Sequence, residues 1–500
     1  MADQLAPQSL PIYGHPQVKT PNLKRFAEES IVFENAYSNF PLCVPARMSM
    51  LSGRYAHNIG VWDNASEMSA ATPTISHYLR REGYIASLVG KMHFIGPDQL
   101  HGYNERLTTD IYPSNFAWTP DWVKGESFRP TGINMRAVVD AGVCVRSLQI
   151  DYDDEVEHSG VQKIYDLARF TKDPFFLTVS FTHPHSPFVT TQKYWDLYDH
   201  EQIEMPAVPP IALQDLDEMS RWLHYAHAAD KHTITQEHIR TARHAYYGMI
   251  SYIDDKFGSL IDALTETGLL EDTIVLFTSD HGEMLGERGM WYKQCFFEWS
   301  ARVPLIVRYP KEFKASRVNN LVSLVDLLPT IMDCASGKEF TGFVSPIDGR
   351  SLINLLSGSS LKDENFVVSE YTGEGVIAPC RMVRWDNYKY IYTHGYEPLL
   401  YDLKEDPNEL NNLSGDQKLL EIERHLFDLS LENWNPEEIS QNCIKSQKER
   451  LFIQESTGGK PHWAFRFQPN DNERFIRNAS AVGTKIKARY PFVEPTPFEK

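Results

Sequence analysis

Ile274-Val275-Leu276-Phe277-Thr278-Ser279-Asp280-His281-Gly282 holds the architecture of this chain in miniature. A short apolar, partly β-branched run reads as a buried strand, and it hands over to a carboxylate, an imidazole and a glycine. Upstream, Glu237 to Thr267 carries apolar residues at helical spacing, and Gly268 sits just past its end. The same alternation recurs along the chain. Ile85 to Val89, Phe175 to Phe181 and Leu305 to Val307 read as strands, and Thr74 to Glu82 as a helix. Strands separated by helices predict an α/β fold, with a large mixed, mostly parallel sheet flanked by helices. Open sheets of this kind hold ligands beyond the carboxyl ends of their strands, which is where Asp280 and His281 fall.

The character changes after about residue 360. Val367 to Tyr371, Cys380 to Arg384 and Tyr388 to Tyr392 read as short strands with a turn at Trp385-Asp386-Asn387, and a helix is predicted over Gln417 to Leu431. We therefore expect a catalytic domain over 1–360, a smaller α+β lobe over 361–440, and an extended tail over 441–500 that packs at a subunit boundary. The net charge of -18 argues against general nucleic-acid binding. The six cysteines are scattered without a CxxC pair, as expected of buried thiols in a reducing compartment rather than a zinc site or a disulfide framework. No run is apolar for long enough to cross a membrane. The opening Met1-Ala2-Asp3-Gln4 has no charged-then-apolar leader, so a cytoplasmic location is expected.

The chemistry concentrates in a few strings. Cys43-Val44-Pro45-Ala46-Arg47 is followed by Leu51-Ser52-Gly53-Arg54. A thiol and a guanidinium four apart at a helix start suit an anion, although an isolated cysteine is more often only a buried thiol. Gly83-Tyr84 leads to Gly90-Lys91-Met92-His93 at a strand end. Thr182-His183-Pro184-His185 follows the Phe175 to Phe181 run, and Trp291-Tyr292-Lys293 lies just after the Asp280-His281 step. The Cys43 to Arg47 string is the strongest of these signals; each of the others alone is weak.

Together they resemble the sulfatases of the alkaline phosphatase superfamily, whose signature is Cys-x-Pro-x-Arg with a downstream Gly-Arg and a later Gly-Tyr…Gly-Lys-x-His. The resemblance implies that a separate formylglycine-generating or anaerobic maturating enzyme oxidises Cys43 to formylglycine. It implies a divalent cation, calcium or another, held by Asp3, Gln4, Asp280, His281 and the modified Cys43. Gln4 stands where the second acid of an Asp-Asp pair is usual. An oxygen-rich set of this kind suits a hard cation. Arg47, Lys91 and Lys293 would neutralise the sulfate oxygens. The hydrated aldehyde attacks sulfur, the ester oxygen leaves with a proton from His185 or Lys293, and His93 takes a proton as sulfate is expelled. His183 is expected to be structural.

Within the family the chain looks most similar to choline sulfatases. The strings are Gly96-Pro97-Asp98-Gln99-Leu100-His101-Gly102, Arg106 to Pro113, Trp118-Thr119-Pro120-Asp121-Trp122, Met284 to Gly289 and Ser300 to Pro304. A quaternary ammonium donates no hydrogen bond and is held by aromatic faces and carboxylates. Trp118 is the expected face, Glu370 the expected carboxylate and Asn64 a further contact. Choline-O-sulfate is thus the expected substrate. The alternatives are a phosphonate monoester or phosphodiester, and, if Cys43 stays a thiol, a non-catalytic binder. A homo-oligomer is expected. Three departures stand out: Ile133 where a His is usual before Asn134-Met135; Ala479-Ser480-Ala481-Val482 where an acidic run is usual; and no strand ahead of Asp3, which should leave a slot in the core and loosen Asp3.

Overall fold

The computed structural model of the chain describes residues 1–127, 133–359 and 365–458. Its main sheet comes in two halves. The first strand of the chain, β1 (Ile31–Tyr37), is followed by helix α1 (Cys43–Ser52), helix α2 (Ile75–Arg81) and strands β2 (Ile85–Gly90) and β3 (Glu105–Arg106). Strand β4 (Gly142–Cys144), helix α3 (Leu148–Phe170), and strands β5 (Phe175–Ser180) and β6 (Val189–Thr191) come next. They are followed by the long helix α4 (Gln236–Glu266), strands β7 (Val275–Thr278), β8 (Arg302–Arg308) and β9 (Ser316–Ser323), and helix α5 (Leu327–Ser336). One half-sheet runs β3-β2-β5, all parallel; the other runs β7-β8-β1-β9. β8 is antiparallel to both β1 and β7, while β1 and β9 are parallel, so the sheet is mixed. β4 and β6 form a small parallel pair of their own.

The helices cover both faces. Val156 and Ile164 of α3 and Tyr246, Ile250 and Ile253 of α4 belong to one apolar cluster. Met48 and Leu51 of α1, Tyr78 and Leu79 of α2, and Leu327 and Leu328 of α5 belong to the other. α4 begins where the sequence places it. The Thr235 hydroxyl accepts from the His238 amide at 3.2 Å in a capping box, and Gly268, at φ +73°, follows the end.

Met1 and Ala2 bridge the halves. The Met1 amine donates to the Val179 carbonyl (2.7 Å), Phe181 N donates to Met1 O (3.0 Å) and Ala2 N to Thr278 O (2.9 Å), with Ala2 parallel to Ser279. Behind them, β5 and β7 face each other across a slot of about 480 Å³ lined by Phe176, Leu177, Val179, Val275, Leu276 and Phe277. The expected slot is there. The expected loosening of Asp3 is not: Asp3 is fully buried, its amide donates to His183 O at 3.3 Å, and its carboxylate is paired with Lys91.

The smaller lobe is an antiparallel sheet of β10 (Phe366–Tyr371), β11 (Cys380–Trp385), β12 (Tyr388–Thr393) and β13 (Leu399–Asp402). Helix α6 (Leu420–Leu431) packs on it through Leu426. The segment expected to be an aperiodic tail begins instead as a helix, α7 (Pro436–Ser456), which buries Ile439, Cys443, Gln447 and Arg450. Trp463, Arg474 and Ala479 to Val482 lie outside the described residues.

Candidate active site

Cys43 opens α1, preceded by Leu42 in extended conformation. The Val44 amide, one of the donors a helix start leaves without an intrahelical partner, is taken by Asn64 Oδ1 at 3.0 Å. The cysteine Sγ lies 3.3 Å from His281 Nε2 and 3.8 Å from Asp3 Oδ1. Asp3, Cys43, Asp280 and His281 bring one ligand atom each to within 4.8 Å of one another, all buried. They come from the end of the Met1-Ala2 bridge, the start of α1 and the loop after β7. His281 Nδ1 faces Gly282 O at 3.0 Å, which aims Nε2 at the cluster. Burial holds this imidazole down at about 4, so it is neutral and its nitrogen is available. Two carboxylates, one neutral imidazole and the Gln4 amide oxygen nearby fit a hard divalent cation. The soft thiol is the one member that does not, and its replacement by an oxygen group would complete the set.

Positive charge surrounds this cluster. Arg47 Nε donates to Asp280 Oδ2 at 2.8 Å, and its Nη1 to Lys91 O (2.7 Å) and Ser180 Oγ (2.8 Å); Nη2 is buried without a partner. Burial alone would raise the Asp280 carboxyl, but Arg47, His281 and Lys91 hold it well below the usual range. Lys91 bonds Asp3 and lies 4.5 Å from the Tyr112 ring centroid. Lys293 donates to Gln4 Oε1 and lies 2.7 Å from His185 Nε2. His185 Nδ1 meets Ser186 O at 2.7 Å and Tyr112 Oη at 3.1 Å. Burial and then Lys293 push His185 down to about 3, leaving it neutral.

His93 is buried with neither ring nitrogen bonded. It packs against Tyr112 and edge-on to Trp118, at centroid distances of 5.3 and 5.6 Å. Its backbone is left-handed at φ +61°, as is that of Gln4 (+64°), Tyr292 (+68°) and Gln294 (+77°). Such conformations in bulky residues persist where the surroundings over-determine them, and here they gather on one site. Asp110 supplies part of that hold, accepting from the Met92 and His93 amides at 3.0 and 2.6 Å and from Arg106 at 2.7 Å.

Every residue expected to be catalytic or to bind metal converges here. His183, expected to be structural, is buried with its Nδ1 2.6 Å from Asp153 Oδ2. The substrate-side residues divide. Trp118 is half-buried beside His93, and Asn64 anchors the start of α1. Glu370, in contrast, is committed elsewhere, with one oxygen 2.6 Å from His57 Nδ1 and 3.9 Å from Arg381. Glu374, in the loop after β10, has no ion-pair partner in contact among the described residues; its carboxyl is reached by backbone groups of Asn64 and of Glu374 itself. It is buried with Oε2 unpartnered, and burial followed by Asp63 pushes it up to about 7. Glu283 was also missed. It accepts from the Leu285 and Tyr292 amides (2.8 and 2.7 Å) and bonds Gln4, fixing the loop that carries Lys293.

The general sulfatase domain pattern matches residues 1–338, and that of the N-sulphoglucosamine sulphohydrolase C-terminal region matches residues 286–434. The choline-sulfatase of Rhizobium meliloti (strain 1021) is 40% identical over 98% of this chain and 97% of its own length. Arylsulfatase K of Xenopus laevis is 29% identical over 82% of this chain and 77% of its own. The phosphonate monoester hydrolase of Agrobacterium radiobacter superposes with a TM-score of 0.68 at 25% identity, covering 86% of this chain and 94% of its own. With its cysteine, cations and carboxylates gathered around one point and a match of this extent, the chain belongs to the sulfatase family.

Proposed function

We propose that this sulfatase hydrolyses choline-O-sulfate to choline and sulfate, using formylglycine made from Cys43 by a separate maturating enzyme and a divalent cation, calcium for preference. Formylglycine would supply a hydrated aldehyde whose two hydroxyls allow attack and then release. The cation, held by Asp3, Gln4, Asp280 and His281, would supply positive charge against the ester oxygens. Arg47, Lys91 and Lys293 add to that charge from fixed positions in a dry pocket, where it costs no reorganisation. Between the two candidate proton donors the geometry favours Lys293. His185 is neutral and faces Ser186 O through Nδ1, so its Nε2 accepts from Lys293 and carries no proton toward the substrate. His93, neutral and unbonded at both nitrogens, is suited to take a proton.

The observation that supports the substrate reading is that the site offers both an aromatic face, Trp118 standing against His93, and a buried carboxylate, Glu374, beside the Asn64 backbone with Oε2 unpartnered. An aromatic face and a carboxylate are what a quaternary ammonium requires, and the 40% identity to a choline-sulfatase supports it. Glu374 thus replaces Glu370 as our cation partner. A phosphonate monoester or phosphodiester hydrolase is the second reading, favoured by the likeness to the Agrobacterium radiobacter enzyme. The six unbridged cysteines support a reducing, cytoplasmic setting. No helix among the described residues is long and apolar enough to cross a membrane. We further propose a homo-oligomer in which the tail over 441–500 packs at the subunit boundary; residues 459–500 of it lie outside the described residues.

The test is turnover of choline-O-sulfate, para-nitrophenyl sulfate and a phosphonate monoester by protein co-expressed with a maturating enzyme, alongside the mass of the Cys43 peptide. Higher kcat/KM for choline-O-sulfate supports the reading. A preference for the phosphonate ester moves it to the second, and a retained thiol without turnover leaves only a binder.

A further inference from the structure

One buried side chain of α7 ties together two of the segments assigned to the substrate's cationic end, and a third is bonded to one of them. Arg450 donates from Nη1 and Nη2 to the two oxygens of Asp63 at 2.6 and 2.7 Å. Nη1 also reaches Thr119 Oγ1 at 3.3 Å. Both partners are buried, and Asp63 additionally accepts from the Ala65 amide at 2.9 Å and the Ser66 hydroxyl at 3.2 Å. Asp63 is chain neighbour to Asn64, and Thr119 to Trp118. The third segment joins through Thr372, whose hydroxyl donates to the Trp62 carbonyl at 2.9 Å, two residues before Glu374. One turn earlier on α7, Gln447 Oε1 accepts from the Trp122 amide at 3.0 Å, so the helix holds the 118–122 loop at two points.

A bidentate guanidinium–carboxylate pair is among the most directional contacts a protein can make. Buried, such a pair contributes little net stability against an apolar replacement, and its best-attested use is to specify one arrangement. Here the arrangement specified is the separation of pocket walls contributed by segments far apart in the chain. Resting on the assignment of Trp118, Asn64 and Glu374 to the substrate's cationic end, we propose that Arg450 is a positioning residue for specificity: by clamping Asp63 to Thr119 it sets the spacing between the aromatic wall and the carboxylate wall. α7 is then part of the substrate pocket's support rather than an appendage of the smaller lobe.

The experiment compares wild type, Arg450→Met and Arg450→Lys, each matured at Cys43, with kcat and KM measured separately for choline-O-sulfate and para-nitrophenyl sulfate. In Arg450→Met the choline ester should lose about tenfold or more through KM, the scale on which small misplacements of binding groups act. The aryl ester, which has no cation to seat, should change far less, and Arg450→Lys should recover part of the loss. An unchanged ratio of the two KM values, or equal losses on both esters in folded protein, overturns the proposal. Should Arg450→Met not fold because Asp63 is left as an unpaired buried charge, the Asp63→Asn/Arg450→Met double variant removes both charges and is read in the same way. A wild-type preference for the aryl ester would refute the substrate reading on its own, whereas the clamp is judged only by the shift between wild type and variant.

Discussion

The slot between β5 and β7 offers a large energetic lever. β5 and β7 are edge strands that face each other across the slot, and among the described residues Met1 and Ala2 bridge them at one end. Consider a five-residue valine- and isoleucine-rich extension fused ahead of Met1, long enough to run the length of β5 at about 3.3 Å per residue. At about 24 cal/mol per Å³, filling a cavity of about 480 Å³ gains on the order of 11 kcal/mol. Ordering five residues costs about 1.5 kcal/mol each, which offsets roughly two-thirds of that gain. The remainder is about 4 kcal/mol, before any contribution from new backbone hydrogen bonds. For a folded unit of this size, unfolding entropy scales that to a rise in Tm of about 4 °C. The assay is thermal and urea unfolding of the extended protein against one carrying a glycine-serine extension of equal length, with amide exchange followed at β5 and β7. Equal midpoints, or β5 and β7 amides no better protected than with the polar extension, would show that the gap does not accept a strand.

Other perturbations act at the site itself. Glu374 ionises near 4.5 when unfolded but is held up to about 7 in the fold, first by burial and then by Asp63. The native state therefore favours its protonated form, so the penalty is absent below pH 4.5, grows as pH rises from 4.5 to about 7, and is constant above that. Glu374→Gln should stabilise the protein by about 3 kcal/mol at pH 8 and not at pH 4.5, while raising KM for choline-O-sulfate; denaturant midpoints at the two pH values and steady-state kinetics check both. In wild type, KM for the cationic ester should fall as pH rises through 7, and KM for the aryl ester should not follow. Arg47→Met leaves Asp280 buried without its main partner, so about 3–5 kcal/mol of stability should be lost, read from urea midpoints, together with turnover. Cys43→Ser should keep the unfolding midpoint and abolish hydrolysis. Chelation should lower the midpoint of the matured protein, and added calcium should restore it by about 1.4 kcal/mol per tenfold excess over its Kd.

Much of this site was readable because its residues sit where periodicity stops. Lys91, His185 and Asp280 each follow a strand whose apolar pattern is plain, and each carries a polar group the pattern cannot absorb. Strand β1 escaped for the opposite reason. Its run is broken by Glu34-Asn35, and the register shifts there against both neighbours, between Phe33 and Ala36 with β8 and between Phe33 and Asn35 with β9, so the polar pair falls on an irregularity in the middle of the sheet. Glu34 pairs with Arg317 and Asn35 bonds Asn319 O across that irregularity, contacts no local window could anticipate. Glu370 and Glu374 were separable only in three dimensions. The former lies on β10 and pairs with Arg381 of the next strand, whereas the latter lies past the strand end, where the chain turns toward Asn64 and Lys293.

What eluded the sequence reading is therefore not the chemistry but its support. Asp110 under His93, Glu283 under Gln4 and Arg450 under Asp63 are ordinary charged residues at unremarked positions, and their partners in the Glu283 and Arg450 pairs lie 279 and 387 residues away. Each holds a residue in or beside the candidate site, and two of those residues, His93 and Gln4, keep a left-handed backbone that a free chain would abandon. A site able to neutralise a sulfate dianion in a dry pocket must resist the mutual repulsion of Arg47, Lys91 and Lys293, and does so by burying an acid for each. Lys91 and Arg47 have theirs directly in Asp3 and Asp280; Lys293 reaches its own through Gln4, which links it to Glu283. The carboxylates that would hold a cation are thus the same ones that keep the anion-binding side chains in place, so metal site and sulfate site stand or fall as one charge-balanced unit.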